Sequence, residues 1–457
     1  MLTCWSRYAR NLRSLLDQRI FSKIMNLSAA QSFRNNELSP RDLVSNLQSL
    51  FNSREPDVLS FISEPNRFER LQKDAEELIE KFPDVKNRPL LFGMTLGVKD
   101  IFHVDGFTTQ AGSKLPPEEL QGNEAASVTK LKNAGALILG KTVTTEFAYF
   151  TPGPTRNPHN PNHTPGGSSS GSAAAVGAGI CDIALGTQTI GSVIRPAAFC
   201  GVVGFKPTYE RISRAGVIPL SPTFDHVGAF ASDVETVGRV ASVLLENWRI
   251  GELGVGDWRL GTRDSKPVLG IPEGKYLENM SKEGLEHFQK MCKLLSANYE
   301  LRYVHVMDDF DEIKSRHDAI MSCDAAQVHK NWFGKHESLY SQKFADLIRR
   351  GHKVSSLQSL ISARDSFRAS ITQTMNDNQI DIWICPPAIG PAPKGLDSTG
   401  DPMMCLPWTQ IGFPAINIPT TKNDESLPMG LQLVGKWNSD EALLAWAEEI
   451  EKVVRKI

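Results

Sequence analysis

The residues with the clearest chemical potential are a lysine inside an apolar stretch and two runs rich in glycine and serine. Lys99 lies within residues 96–102, where most neighbours are apolar. Burial disfavours the charged form of a lysine, and a neutral amine can act as a general base near pH 7. Residues 166–172 and 186–192 follow, and successive backbone N–H groups in such loops can hold a developing oxyanion. Taken alone, Lys99 could equally be a snorkelling side chain or the ion-pair partner of Asp100.

Two short motifs in the same region suggest other functions, but neither has the structural context that it needs. Residues 135–142 match the phosphate-loop pattern GxxxxGK[ST], yet their apolar interior predicts a strand and the residues before them look helical. Residues 167–171 match the GxSxG pattern centred on Ser169, yet the proline-rich residues 157–166 cannot form the strand that must precede a nucleophile elbow. These glycines and serines could also be no more than a helix N-terminus. We therefore expect neither nucleotide binding nor an α/β-hydrolase centred on Ser169.

Composition and charge exclude several broad classes of protein. The chain has 457 residues and a formal net charge of −2, which provides no long-range field for nucleic acid or an anionic membrane. No apolar run is long enough to span a bilayer. The seven cysteines form no CxxC pair, and the ten histidines include no HExxH motif. Pro158 and Pro161 deny the pair His159 and His163 a helix, so we expect no metal site there.

The first 24 residues differ from the rest of the chain. They contain five basic residues and one acidic residue, Asp17, and Met25 then opens a stretch typical of a normal domain start. An arginine-rich, acid-poor leader is typical of an organellar targeting segment. The alternatives are a solvated helix or a start codon assigned upstream of the natural one. The low cysteine content favours a reducing, cytoplasmic environment, with organellar targeting by residues 1–24 left open.

The remaining residues, 25–457, predict one large domain of α/β class, because short apolar runs alternate with helical stretches. Helices are expected to begin after Ser39 and after Ser439, each of which can cap a helix. The other expected helices lie at residues 125–133, 172–178, 283–295 and 355–375. The expected strands lie at residues 91–92, 94–98, 136–139, 180–185, 380–385 and 411–418.

The ordered motifs of this domain resemble those of the amidase signature family of serine hydrolases. The resemblance covers nearly all of residues 25–457 and is densest over residues 93–235. It includes Gly97-Val98-Lys99-Asp100, Gly140-Lys141-Thr142, Pro165-Gly166-Gly167-Ser168-Ser169, residues 186–208, Asp225, Gly228, residues 399–409 and residues 430–435. The resemblance implies a central mixed β-sheet covered by helices on both faces, and it implies no metal or organic cofactor.

The resemblance also implies a catalytic triad without histidine. Ser192 would be the nucleophile and Lys99 the base, and Ser168, held by a cis peptide bond, would relay the proton between them. Ser169 would support this network by hydrogen bonding. The oxyanion hole would consist of backbone N–H groups, those of Thr189, Ile190, Gly191 and Ser192. The implied reaction is hydrolysis of a small carboxylic amide through an acyl-enzyme.

One departure from the family pattern affects the oxyanion hole. Ile190 stands where the family usually has a glycine, and a β-branched residue would be strained at positive φ. Gln188 replaces an acidic residue of the family, a variant that we expect to be harmless. Besides amide hydrolysis, two alternatives stay open. The chain could resemble the amidase-type component of a glutamine amidotransferase, or, because of Ile190, it could be a catalytically impaired relative.

The substrate and the remaining candidate residues are less well specified by sequence. Arg349 and Arg350 could bind a substrate carboxylate by position alone, but the middle third lacks the tyrosine cluster of the glutamine-using relatives. We expect a small-molecule amide substrate, a free-standing enzyme or homodimer, and no nucleic-acid or membrane partner. Arg195 is expected to form a structural ion pair, and His226 to lie in a loop near the site. Cys181 and Cys200 are expected to be thiols buried in the core.

Overall fold

A computed structural model describes residues 29–248 and 266–455 of the chain, and these residues share one ten-stranded mixed β-sheet. The 1–24 extension lies outside the described residues. The strand order is β2-β1-β3-β5-β4-β9-β10-β8-β6-β7. The strands are Thr95–Lys99 (β1), Leu137–Thr142 (β2), Ile183–Gln188 (β3), Val203–Lys206 (β4), His226–Ala231 (β5), Leu269–Glu273 (β6), Leu301–His305 (β7), Ile382–Cys385 (β8), Ala415–Lys422 (β9) and Pro428–Gly435 (β10).

Helices connect these strands and cover the sheet. They are Pro40–Val58 (α1), Arg67–Lys81 (α2), Ala126–Asn133 (α3), Ser170–Gly177 (α4), Ile194–Cys200 (α5), Val234–Leu244 (α6), Lys275–Glu278 (α7), Lys282–Leu295 (α8), Phe310–Val328 (α9), Lys330–His336 (α10), Gln342–Gly351 (α11), Leu357–Asp377 (α12), Leu406–Gln410 (α13) and Asp440–Val454 (α14). Strands β1 and β3 are parallel neighbours, whereas β3 and β5 are antiparallel. The expected α/β class and mixed sheet are confirmed.

Both faces of the sheet are buried, as the alternation of side chains along single strands shows. In β2, Leu137 and Leu139 belong to one hydrophobic cluster, whereas Ile138 between them belongs to another. In β3, Ile183 and Ala184 are divided between the two clusters in the same way. Successive side chains of a strand point to opposite faces, so each face has its own core. The apolar runs in the sequence follow from this double burial.

Most predicted elements exist, and the errors lie at their ends. Ser39 caps α1, with its hydroxyl accepting a hydrogen bond from the backbone N–H of Asp42 at 3.1 Å. Ser439 does not cap α14, because its hydroxyl donates to the carbonyl oxygen of Lys436. Residues 91–92 form a turn and not a strand. The strands expected at 180–185 and 411–418 begin later, at Ile183 and Ala415.

The residues that matched the phosphate-loop pattern form strand β2 and the turn before it. Gly135, with a φ of 92°, makes the turn between α3 and β2. Lys141 lies inside the strand, where it forms a buried ion pair with Asp100 at 2.7 Å. The expectation that this motif does not cradle a phosphate agrees with its place inside a buried strand. Within the described ranges, no helix is long and apolar enough to cross a membrane.

Candidate active site

Lys99 ends strand β1 and is completely buried, with no solvent-exposed surface. Its Nζ donates hydrogen bonds to Ser168 Oγ at 2.7 Å and to Thr187 Oγ1 at 2.8 Å. Asp100 is not its partner, since that carboxylate pairs with Lys141. Burial lowers the pKa of Lys99 well below the ordinary lysine value, and the negative charge of Asp225 opposes this shift only in part. The geometry and the lowered pKa are those of a lysine that can accept a proton.

Ser168 lies between the sheet and helix α4, and the Gly167–Ser168 peptide bond is cis. The carbonyl oxygen of Ser168 accepts hydrogen bonds from the backbone N–H of Thr145 at 3.3 Å and from the hydroxyl of Thr144 at 3.2 Å. Ser169 is held by the main chain of Thr187, with its hydroxyl both donating and accepting at 3.2 Å. These contacts fix the Ser168 hydroxyl beside Lys99.

Ser192 lies in the loop that joins strand β3 to helix α5. The side chain of Gln188 organises this loop, because its Oε1 accepts from the backbone N–H groups of Val193 at 2.8 Å and Ile194 at 3.0 Å. Gln188 Nε2 donates to Thr409 Oγ1 at 2.9 Å, and that hydroxyl donates to the carbonyl oxygen of Ile190 at 2.6 Å. One amide side chain therefore ties the loop to the start of α5 and to α13.

Four consecutive backbone N–H groups in this loop have no acceptor in the described part of the chain. They are those of Thr189, Ile190, Gly191 and Ser192. The next two N–H groups, by contrast, are both bound to Gln188. A buried backbone N–H without an acceptor costs free energy, so such groups are rare and are often reserved for a ligand or water. These N–H groups are therefore available as donors to a bound molecule or water.

Ile190 does not distort the backbone of this loop. Neither Ile190 nor its neighbour Gly191 has a positive φ. A β-branched residue is therefore accommodated at this position without left-handed strain. Ile190 is 9% exposed and forms part of the wall of the cavity that Ser168 and Ser192 line. Its side chain therefore narrows this cavity, compared with a glycine at the same position.

A narrow cavity brings the two serines together. Ser168 and Ser192 both line it, together with Thr189 and Ile190 of the loop. No hydrogen bond joins the hydroxyl groups of Ser168 and Ser192, two residues that the structure describes. Catalytic hydrogen bonds are often long before substrate binds. A wider entrance groove, lined by Lys314, Arg350 and Val354, opens beyond Ile190.

Three expectations about nearby side chains are wrong. Arg195 lines the cavity but forms no ion pair with a described carboxylate, and instead donates to the carbonyl oxygen of Gly167 at 2.6 Å and to the hydroxyl of Thr399 at 3.2 Å. His226 is not in a loop but begins strand β5, fully buried. Arg349 lies away from the cavity and pairs with Glu337 and Asp346.

Arg350 lines the entrance groove but is already engaged with a carboxylate, that of Asp318, at 3.1 Å. It also donates to the hydroxyl of Tyr149 at 3.4 Å. The two thiols expected in the core, Cys181 and Cys200, are buried there. Among the described residues, no group of three potential metal ligands exists.

Sequence reasoning missed Thr187, the second hydrogen-bond partner of Lys99. Strand alternation does not reveal this contact, because it places Thr187 on the face of Leu185 and its neighbour Val98, opposite to the face predicted for Lys99. The role of Gln188 was also missed, since the contacts of its amide with the loop arise only when β3 and α5 pack together. Both residues belong to the second glycine- and serine-rich run, residues 186–192.

The fold and the site together define an α/β enzyme with a lysine–serine pair buried against a loop of free backbone donors. Residues 66–444 match the family model described as Amidase, and the chain belongs to the amidase family, whose fold it shares with amidase signature structures.

Individual relatives agree with this family. One is a component of the glutamyl-tRNA(Gln) amidotransferase of Methanospirillum hungatei, and it is 30% identical over 79% of this chain and 93% of its own. A crystal structure of an amidase matches with a TM-score of 0.82 and 28% identity, covering 94% of this chain and 99% of its own. The peptide amidase PAM, at 24% identity and a TM-score of 0.75, covers 93% of this chain and 96% of its own and shares the fold.

Proposed function

We propose that this amidase-family enzyme hydrolyses the C–N bond of a small carboxylic amide through an acyl-enzyme on Ser192. The observation that carries the proposal is the hydrogen bond from buried Lys99 to Ser168, at the edge of the cavity that Ser192 also lines. A lysine can accept a proton only when it is neutral, and burial favours the neutral form. The proposal therefore assigns the base to Lys99 and the relay to Ser168.

In the first half-reaction, Ser192 Oγ attacks the carbonyl carbon of the amide. Its proton passes to Ser168 Oγ while the proton of Ser168 passes to Lys99 Nζ. The carbonyl oxygen becomes an oxyanion, and the free N–H groups of residues 189–192 would stabilise it. The C–N bond then breaks, and protonated Lys99 returns the proton through Ser168 to the leaving amine. Water hydrolyses the resulting ester by the same relay and releases the carboxylic acid.

The proposal can be tested by labelling with a fluorophosphonate, which reacts with activated serines. We expect one adduct, on the peptide that contains Ser192, and we expect its loss in Ser192→Ala and Lys99→Met. Lys206→Met is the matched control, because Lys206 is equally buried but donates to the carbonyl oxygens of Pro207 and Phe413 away from the cavity. An adduct on Ser169, or folded protein without any adduct, would refute the assignment of Ser192.

A second candidate is transfer of ammonia from glutamine, which is favoured by the curated relatives named as components of glutamyl-tRNA(Gln) amidotransferases. A glutamine substrate carries a carboxylate that needs a cationic partner. Arg350 is near the entrance groove, but its guanidinium is already paired with Asp318. Glutamine and acetamide can be compared directly as substrates of the purified chain. A kcat/KM for glutamine more than about tenfold above that for acetamide would favour the amidotransferase.

A further inference from the structure

A second cavity, of about 200 Å³, adjoins the cavity that Ser168 and Ser192 line. We call it the lateral cavity, and its apolar wall consists of Ile101, Val217, Ile218, Pro219, Leu220 and Val227. Leu220 and Ala148 line both cavities, so the two spaces share a wall. Pockets that bind whole small organic ligands typically enclose about 300–1,000 Å³ and are mostly apolar. The lateral cavity is mostly apolar but smaller, so it has room for one substituent of a ligand and not for a whole ligand.

The lateral cavity also reaches the residues that hold the proposed base. Thr187 lies in its wall, and the hydroxyl of that threonine accepts a hydrogen bond from Lys99 Nζ at 2.8 Å. Asp225 lies in the same wall and acts electrostatically on Lys99. A group bound here would therefore sit beside the reacting centre and not at a remote surface.

Most polar groups in the wall of the lateral cavity are already engaged. The carboxylate of Asp225 accepts from Thr189 Oγ1 at 2.6 Å and from the backbone N–H groups of Leu220 at 2.9 Å and Ser221 at 3.0 Å. The guanidinium of Arg214 donates to the carbonyl oxygen of Pro222 and pairs with a carboxylate, that of Glu210.

His226 is the remaining polar side chain of this wall. Its Nδ1 lies 2.6 Å from the carbonyl oxygen of Phe224, and burial lowers the pKa of the imidazole well below its usual value. The imidazole is therefore neutral at physiological pH. The Nε2 atom of His226 has no hydrogen-bond partner among the described residues, so the wall offers a ligand one neutral polar atom. The charged groups of the wall are engaged, and an apolar group would bury surface here without displacing their hydrogen bonds.

We propose that the lateral cavity binds an apolar substituent of the amide substrate, either an aliphatic chain or a ring of about the size of phenyl. This inference rests on the proposed amide hydrolysis and adds the class of amide. Because Leu220 and Ala148 line both cavities, a substituent of an amide held at Ser192 would have to enter the lateral cavity past these two side chains. Each methylene buried in such a space raises kcat/KM about fourfold, until the cavity is filled.

The test measures kcat/KM for acetamide, butyramide, hexanamide and phenylacetamide. The wild-type values should rise along this series by more than about tenfold. Val217→Phe places a larger side chain in the wall of the lateral cavity, and it should lower the ratio of the hexanamide value to the acetamide value at least tenfold. Val354→Phe is the matched control, because Val354 is also a half-buried valine but lines the entrance groove. It should leave that ratio within about threefold of the wild-type ratio.

Two further experiments extend the test. The first does not depend on whether one variant folds, and the second distinguishes the acyl side of the amide from the amine side. Alkyl fluorophosphonates of increasing chain length should label wild-type Ser192 faster as the chain grows, whether or not Val217→Phe folds. N-hexylacetamide and hexanamide place the same chain on the amine side and on the acyl side, and the faster substrate identifies the side that the lateral cavity receives.

The outcomes separate this inference from the proposed function. Hydrolysis of acetamide without any gain from longer chains would overturn the inference and leave the amide hydrolysis intact. Equal changes in Val217→Phe and Val354→Phe would also overturn it, because the chain would then bind in the entrance groove or in neither space. Absence of both amide hydrolysis and Ser192 labelling would overturn the proposed function and the inference together.

Discussion

Lys99 Nζ lies 2.7 Å from Ser168 Oγ, in a part of the protein where the lysine has no exposed surface. The two residues come from strand β1 and from the segment before helix α4, so the sheet and the helix together fix their distance. A lysine in water would carry a proton and could only donate. Burial reverses this preference, because the charged form loses its solvation.

Lys99→Met should abolish the base and reduce kcat by about 10²–10⁴-fold. In the wild type, activity requires neutral Lys99, so kcat/KM should fall as the pH drops through the pKa of this lysine. Burial lowers that pKa well below the ordinary value of 10.5, so activity should persist at neutral pH. The measurement is a pH profile of kcat/KM from pH 5 to pH 10. A profile with half-maximal activity only near pH 10.5 would contradict a buried, neutral base.

Gln188→Met should reduce kcat by about tenfold to a hundredfold with little change in KM. The reason is that a thioether is only a weak acceptor for the N–H groups of Val193 and Ile194, so the loop that carries Ser192 loses its fixed position. Gln188→Glu keeps this acceptor and should retain most of the activity. Steady-state kinetics of the wild type and the two variants measure kcat and KM. Equal activity of the Met and Glu variants would mean that the Gln188 amide does not position the loop.

Ile190→Gly should not increase the turnover of acetamide by more than about threefold. Because Ile190 already has an unstrained backbone, glycine adds no conformational freedom that the native loop needs. It should instead widen the catalytic cavity and improve kcat/KM for amides with a bulky group next to the carbonyl carbon. Kinetics with acetamide and pivalamide compare the two effects. A tenfold gain with acetamide would show that Ile190 impairs the oxyanion hole.

Glu451→Gln should change the pH dependence of stability. Burial raises the pKa of Glu451 from 4.5 to about 7, so the folded protein binds a proton that the unfolded chain releases in this range. The wild type should therefore lose stability as the pH rises from about 4.5 to about 7, by an amount on the order of 3 kcal/mol. Gln keeps an acceptor for the N–H of Val234 but does not titrate.

Thermal unfolding at pH 5 and pH 8 measures this effect. The difference in Tm between the two pH values should be smaller in Glu451→Gln than in the wild type. Glu449→Gln, an exposed change on the same helix, is the control and should follow the wild type. If Glu451→Gln and Glu449→Gln show the same pH dependence, the titration of Glu451 does not contribute.

The sequence by itself determined the layered α/β class, because buried strands and amphipathic helices leave distinct apolar patterns. It also indicated Lys99, Ser168 and Ser192 as candidate site residues. The lysine in an apolar strand and the ordered glycine and serine motifs, with the family resemblance that they carry, can be recognised without coordinates. Short strands were less certain, because residues 91–92 were predicted as a strand and form a turn. A two-residue apolar run does not distinguish a strand from a buried turn.

Only the tertiary structure decided which side chains meet. Lys99 and Asp100 are adjacent in the chain, yet Lys99 contacts Thr187 of β3 whereas Asp100 pairs with Lys141 of β2. Whether Ile190 is strained depends on its φ, which no residue pattern reveals. The lateral cavity likewise depends on tertiary packing, because its wall combines side chains from segments that are distant in the sequence. Local patterns set the elements, whereas hydrogen bonds and cavities between distant residues depend on how those elements pack.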